Sequence, residues 1–130
     1  MTYHLATLGD YKYLTYALCM YESVLQSTKE DFKIHYLAMD EDSEKKLREL
    51  NLDYVIVYSL SDFAEDEDFL ELKERNKKNE GHSPFHWMMS SFFTHYMINK
   101  VELPEVFYVD ADICFYGGFE SISNCVENYS

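Results

Sequence analysis

The 130-residue sequence predicts an α/β fold: a Rossmann-like, mostly parallel sheet with helices on both faces. Two patterns and one bulk property predict it. Short β-type apolar runs alternate along the chain with segments of helical periodicity. The strand candidates are too apolar to leave one face in water, which is the signature of a sheet covered on both sides. At this length, with 47% hydrophobic residues, the chain supports one compact domain spanning 1–130 rather than two.

The elements follow in order. "TYHLATL" is a β-type run that breaks at Gly9-Asp10. Leu14, Ala17, Leu18, Tyr21 and Leu25 then recur at helical spacing. "DFKIHYLAMD" is a second strand, with Ile34, Tyr36 and Ala38 on one side. The segment "EDSEKKLRELN" places acids early and bases late, as a helix dipole favours, with Asp40 and Asp42 as cap and dipole partners. "LDYVIVYSL" is a third strand, β-branched and apolar. Residues 61–84 interrupt the rhythm as a charged excursion outside the sheet, with a short helical stretch from Phe69 to Lys77. Asp66 and Asp68 lie there in a charged run and read as a solvated face. "FHWMMSSFFTHYMIN" is apolar nearly all round and predicts a helix buried on most sides. "EVFYVDADICFYGG" is the fourth strand candidate.

Charge narrows the function. With 24 acidic residues against 11 basic, the formal net charge is -13, which opposes nucleic acid and anionic membrane partners. An anionic small molecule is compatible with that charge only where a local cation or bound metal reverses the field. Cys19, Cys114 and Cys125 are odd in number and sit in apolar runs, predicting reduced core thiols and a cytoplasmic location. No apolar stretch reaches the roughly 18 residues of a membrane span, and the N-terminus lacks the grammar of a signal peptide.

The chemistry gathers at Asp110 and Asp112. In open parallel sheets, ligands bind beyond the carboxyl ends of the strands. Residues i and i+2 of extended chain point to one side, so both carboxylates can address one site. Two like charges at that spacing call for a cation, and hard ions such as Mg²⁺ or Mn²⁺ take one or two carboxylates plus phosphate oxygens. The implied ligand is a metal diphosphate. The alternative, a strand that simply ends in solvent, is disfavoured because apolar "ICFY" resumes at once.

Taken together, "HLATLGDYKYLTYALCMYESVLQS", "FKIHYLAMDEDSEKKLREL", "LDYVIV" and "VFYVDADICFYGGFESI" resemble the N-terminal half of glycosyltransferases with the GT-A fold. The likeness points to glycosyltransferase family 8, of the glycogenin and lipopolysaccharide galactosyltransferase type. The resemblance implies a nucleotide sugar, a UDP-sugar above all, as donor, with Mn²⁺ or Mg²⁺ on its diphosphate. It implies Asp112 as a direct metal ligand, Asp110 as a ligand that also approaches the ribose and donor sugar, and Ala111 between them. It further implies that Ala6, Thr7 and Leu8 line the base and that Tyr11 stacks on it. Read from the residues alone, Tyr11 is either such a platform or a helix-start aromatic packed inward.

Two departures accompany the likeness. Relatives carry a basic residue in or before the helix preceding the aspartates, whereas this helix offers His86 and His95. His86 is the candidate substitute for a donor-sugar contact, against a capping or core histidine. His82 and His86 are four apart, but Pro84 between them argues against a zinc helix. The acceptor-binding half that supplies a third metal ligand in the family has no counterpart here, so the expectation is a donor-binding half with an unknown acceptor, whether saccharide, lipid or protein. The apolar edge of a sheet lacking later strands favours self-association or a partner. Two other readings stand beside transfer: a non-catalytic nucleotide-binding module, and a haloacid-dehalogenase-like phosphatase, whose aspartate pair belongs on the first strand.

Overall fold

The computed structural model describes residues 2–77 and 83–120, together with Asn124. Strand β1 (Thr2–Gly9) leads through a 3-10 turn at Tyr11–Tyr13 into helix α1 (Leu14–Ser27). Strand β2 (Asp31–Ala38), helix α2 (Glu41–Leu50) and strand β3 (Val55–Ser59) follow. A 3-10 turn at Leu60–Phe63, helix α3 (Glu67–Arg75), helix α4 (Ser83–Asn99) and a two-residue strand β4 (Phe107–Tyr108) complete the described elements. The strands lie in the order β3-β2-β1-β4, and every pairing is parallel.

That order places the site. The chain steps from β1 to β2 to β3 in one direction, then returns past β1 to lay β4 on its other side. Connections therefore leave the sheet in opposite senses between β1 and β4, and a crevice opens there at the carboxyl ends of the strands.

Each strand feeds both faces, as its side-chain alternation requires. Leu5, Phe32 and Ile34 pack with Met20, Tyr21 and Val24 of α1 on one face. Tyr36 and Ala38 pack there with Leu14, Ala17 and Leu47, which brings in α2. Ala6, Leu37 and Met39 face the opposite side, against Phe85, Met89, Phe93 and Met97 of α4.

Helix α2 starts and stops as its sequence dictates. The Asp40 side chain accepts from the Ser43 N–H, three acids occupy the first turn, and Arg48 lies in the last. Asn51 closes it in the left-handed region at φ 45°.

Several expectations change. The segment after β3 leaves the sheet but not the core, because Phe63 stands edge-on to Phe92 and Tyr96 with ring centroids 5.2 and 4.8 Å apart. Phe69 is buried in the same cluster. Burial of such a ring stabilises by about 1.5–3 kcal/mol, enough to hold a short charged helix against the domain. Asp66 is not merely solvated, since it caps α3 by accepting from the Phe69 N–H. Helix α4 buries one face rather than most of its circumference: Trp87, Met88 and Ile98 are exposed. Cys19 and Cys114 are exposed rather than core thiols; Cys125 and His82 lie outside the described residues. No helix among the described residues is long and apolar enough to cross a membrane.

Candidate functional site

A cleft of about 310 Å³ lies at the crevice between β1 and β4. Leu8 and Gly9 at the end of β1, with Tyr13 beyond, form one wall. His86, Trp87 and Ser90 from the start of α4 form the other. Tyr108, Asp110, Ala111 and Asp112 close it from the end of β4.

The aspartate segment is a turn, not an extended strand. Pairing with β1 stops after Tyr108, apart from the Val109 N–H donating to the Ala6 carbonyl at 3.0 Å. The Ile113 N–H then closes back on the Asp110 carbonyl at 3.2 Å. The alternation argument for placing both carboxylates on one side therefore does not apply. What brings them to one cleft is Ala111, which is buried among Leu14, Ala17 and Tyr36 while its two neighbours remain exposed. A methyl group is the only part of this turn that enters the core. The apolar residues that follow are not a resumed strand, because Ile113 is exposed and Tyr116 is 94% exposed.

Two serines of α1 hold this segment from behind. Ser27 Oγ donates to the Phe115 carbonyl at 2.7 Å, and Ser23 Oγ accepts from the Phe115 N–H at 2.9 Å. Spaced four apart, the two hydroxyls share one helix face and satisfy both backbone groups of a residue about 90 positions later in the chain. No sequence pattern indicated this clamp.

The loop after β1 is braced from three directions. Asp10 Oδ1 accepts from the Lys12 and Tyr13 N–H groups, forming the 3-10 turn. The Met39 N–H donates to the Gly9 carbonyl at 3.0 Å. The Tyr11 N–H donates to Asp40 Oδ2, also at 3.0 Å. A side chain at position 9 is disfavoured, because a Cβ there would lie 2.8 Å from the Tyr36 hydroxyl and force a shift.

The sequence-predicted base-binding residues separate in this geometry. Leu8 lines the cleft. Ala6 is fully buried and packs toward α4. Thr7 is fully buried as well, its hydroxyl without a hydrogen-bond partner. Tyr11 is half-exposed and lies outside the cleft lining, where Tyr13 stands instead. His86 lines the cleft, whereas His95 faces a shallow groove farther along α4.

Electrostatics distinguish the polar groups. Burial, then the nearby Asp110 charge, pushes the Tyr108 hydroxyl up to about 12, so it remains a neutral phenol at physiological pH. Partial burial works to raise the Asp40 carboxyl, but hydrogen bonds from Ser43 and Tyr11 and the field of His86 outweigh it and hold it below the usual carboxylate range. Among the described residues, no set of three histidine, cysteine or acidic side chains converges as a ready metal cage. Asp110 and Asp112 supply two hard oxygen donors on one cleft and make no hydrogen bond or ion pair to another described side chain. Such a pair fits Mg²⁺ or Mn²⁺, which take a few carboxylates and complete their shell with phosphate and water.

Comparison with known proteins supplies the family. The family model described as Glycosyl transferase family 8 matches residues 4–128. The uncharacterized protein YfnF of Bacillus subtilis (strain 168) is 30% identical over 114 residues, covering 84% of this chain and 36% of YfnF. The crystal structure of mouse xyloside xylosyltransferase 1 in its apo form superposes over 100% of this chain and 49% of its own, with a TM-score of 0.70 at 16% identity. The likeness to the mouse enzyme is one of fold. This chain thus spans roughly a third of the curated relative and half of the solved one. With the parallel sheet, the crevice at its reversal and a family match over nearly its whole length, the chain belongs to glycosyltransferase family 8.

Proposed function

We propose that the cleft binds a nucleotide-diphosphate sugar, a UDP-sugar above all, and serves glycosyl transfer to an acceptor. The observation that carries this reading is the convergence of Asp110 and Asp112 with the end of β1 on one crevice. Asp110 and Asp112 would hold a divalent cation, Mn²⁺ or Mg²⁺, against the diphosphate. When bound, that cation supplies Lewis-acid stabilisation of the departing nucleoside diphosphate.

The chain's own residues do the rest. Ala111 anchors the turn that aims both carboxylates, and the Ser23–Ser27 clamp fixes its far end. Leu8 and Gly9 offer a close-approach wall for the base, with Tyr13 and Tyr11 as neighbouring aromatic surfaces. Trp87, 71% exposed on α4, gives the opposite wall an apolar face for a ring of the donor. Tyr108, held protonated, donates rather than adding a further negative charge beside the phosphates. His86 stands where relatives carry a basic residue and provides a hydrogen-bond donor to the donor's anionic or sugar oxygens. The phosphatase reading loses ground because the aspartates follow β4 rather than β1.

Thermal unfolding with UDP, with and without Mn²⁺, tests the reading. Saturating UDP together with Mn²⁺ stabilises the chain by about 2–3 kcal/mol at 100 times its dissociation constant, and UDP without metal does little. Asp112→Asn abolishes the metal-dependent part while leaving the unliganded melting temperature within about 3 °C. Equal stabilisation of that variant assigns the nucleotide to another place.

A further inference from the structure

We propose that Asp40 is a positioning residue of this cleft, its carboxylate tying the loop after β1 to the start of α2 so that the β1 wall is set before ligand arrives. The inference rests on the nucleotide-binding reading above. It assigns to Asp40 a role beyond the helix cap that its sequence context announces.

The two carboxylate oxygens do different things. Oδ1 accepts from the Ser43 N–H at 3.0 Å, which is the cap of α2. Oδ2 accepts from the Tyr11 N–H at 3.0 Å, a residue 29 positions earlier and in another element. Capping uses one oxygen only, so the second is free to bridge. The loop it reaches is internally rigid, since Asp10 has already bonded the Lys12 and Tyr13 N–H groups. The Tyr36 hydroxyl leaves no room for a Cβ at Gly9, and the Gly9 carbonyl is taken by the Met39 N–H. The Asp40 bond is therefore the side-chain tie that fixes the outer half of this turn, and Tyr13, which lines the cleft, moves with it. Asp40 also lies within electrostatic reach of His86 on the opposite wall.

Exposure separates this role from simple stability. Tyr11 is 53% exposed, so water can replace the lost acceptor when the bridge is broken. The fold survives and the loop is released, which raises the ordering cost of binding. Charge predicts the opposite sign. Removing a negative group near a diphosphate site would tighten anion binding if proximity were its only effect.

Asp40→Asn and Asp40→Ser isolate the bridge. Asparagine and serine cap helices about as well as aspartate. An asparagine oriented to cap Ser43 turns its amide N–H₂ toward the Tyr11 N–H, and serine is too short to span both partners. In the full chain without ligand, the Tyr11 amide of both variants exchanges with solvent roughly tenfold faster while the melting temperature stays within about 3 °C. Affinity for UDP in the presence of Mn²⁺, followed by Trp87 fluorescence, falls roughly three- to tenfold. Unchanged Tyr11 exchange, or affinity equal to or tighter than that of the unsubstituted chain, overturns the proposal. Absence of UDP binding by the unsubstituted chain overturns the nucleotide reading instead, and the Tyr11 amide then still decides whether Asp40 holds the loop.

Discussion

Gly9 shows how tightly a single position governs the cleft. Its absent side chain leaves room for the Tyr36 hydroxyl, a buried group with no hydrogen-bond partner in the structure, which would lie 2.8 Å from an added Cβ. Burial, then the charges of Asp10 and Asp40, pushes that hydroxyl far above the ordinary tyrosine range, so it stays protonated. Gly9→Ala forces overlap and destabilises by about 1–3 kcal/mol. Tyr36→Phe removes the obstructing oxygen and recovers a large part of that loss, so the double variant is more stable than the sum of the single changes predicts. Urea denaturation of the four proteins measures the coupling, and additive losses would show that the contact is not what excludes a side chain at position 9.

Between elements, a hydrogen-bonded chain from half-buried His4 through buried His35 to half-buried Tyr58 crosses three strands. His4 Nδ1 lies 3.0 Å from His35 Nε2, and His35 Nδ1 lies 3.1 Å from the Tyr58 hydroxyl. Burial, with help from His4 and Lys33, lowers His35 to about 4. The unfolded chain protonates near 6.5, so between those values the unfolded state binds the extra proton. Stability is therefore full above about pH 6.5, declines as pH falls toward about 4, and loses on the order of 2–3 kcal/mol through this residue. His35→Gln, compared with the unsubstituted chain by denaturation across that range, flattens the slope; an unchanged slope would place the acid sensitivity elsewhere.

The elements themselves were legible where periodicity is local. Leu14, Ala17 and Tyr21 spell out α1, and the acid-to-base gradient after Asp40 spells out α2, because both signals lie within one helix. Asp110 and Asp112 were legible as cleft candidates from their place at a strand end, whereas Leu8 and His86 were reached only through the family resemblance. The Ser23–Ser27 clamp, the second bond of Asp40, the pairing of His4 with His35 and the place of Tyr13 were not. Each depends on contacts between residues far apart in sequence, or on the direction taken by one turn, and neither leaves a periodic trace. The aspartate turn was misread as extended for a related reason: the aromatic run "ICFY" mimics a strand, whereas Ser23 and Ser27 bind its backbone from a helix.

For the whole molecule, charge and topology pull in different directions. A net charge of -13 repels itself and any anion, yet the reversal between β1 and β4 builds a crevice whose proposed occupant is anionic. Self-repulsion predicts that raising NaCl from about 0.02 M to about 0.15 M increases the melting temperature, as screening shortens the reach of the surface field. A decrease would mean that attractive pairs outweigh the excess acid. The same conflict makes a cation central to the proposed chemistry, because none of the described residues lining the cleft carries a fixed positive charge. Counting bound Mn²⁺ by the loss of its free-ion electron paramagnetic resonance signal, with and without UDP, addresses this directly. About one tightly held Mn²⁺ per chain is expected, appearing only with UDP and vanishing when Asp110 and Asp112 are both replaced by asparagine. Mn²⁺ that stays free in the presence of UDP, or that binds the doubly substituted chain equally well, contradicts that expectation.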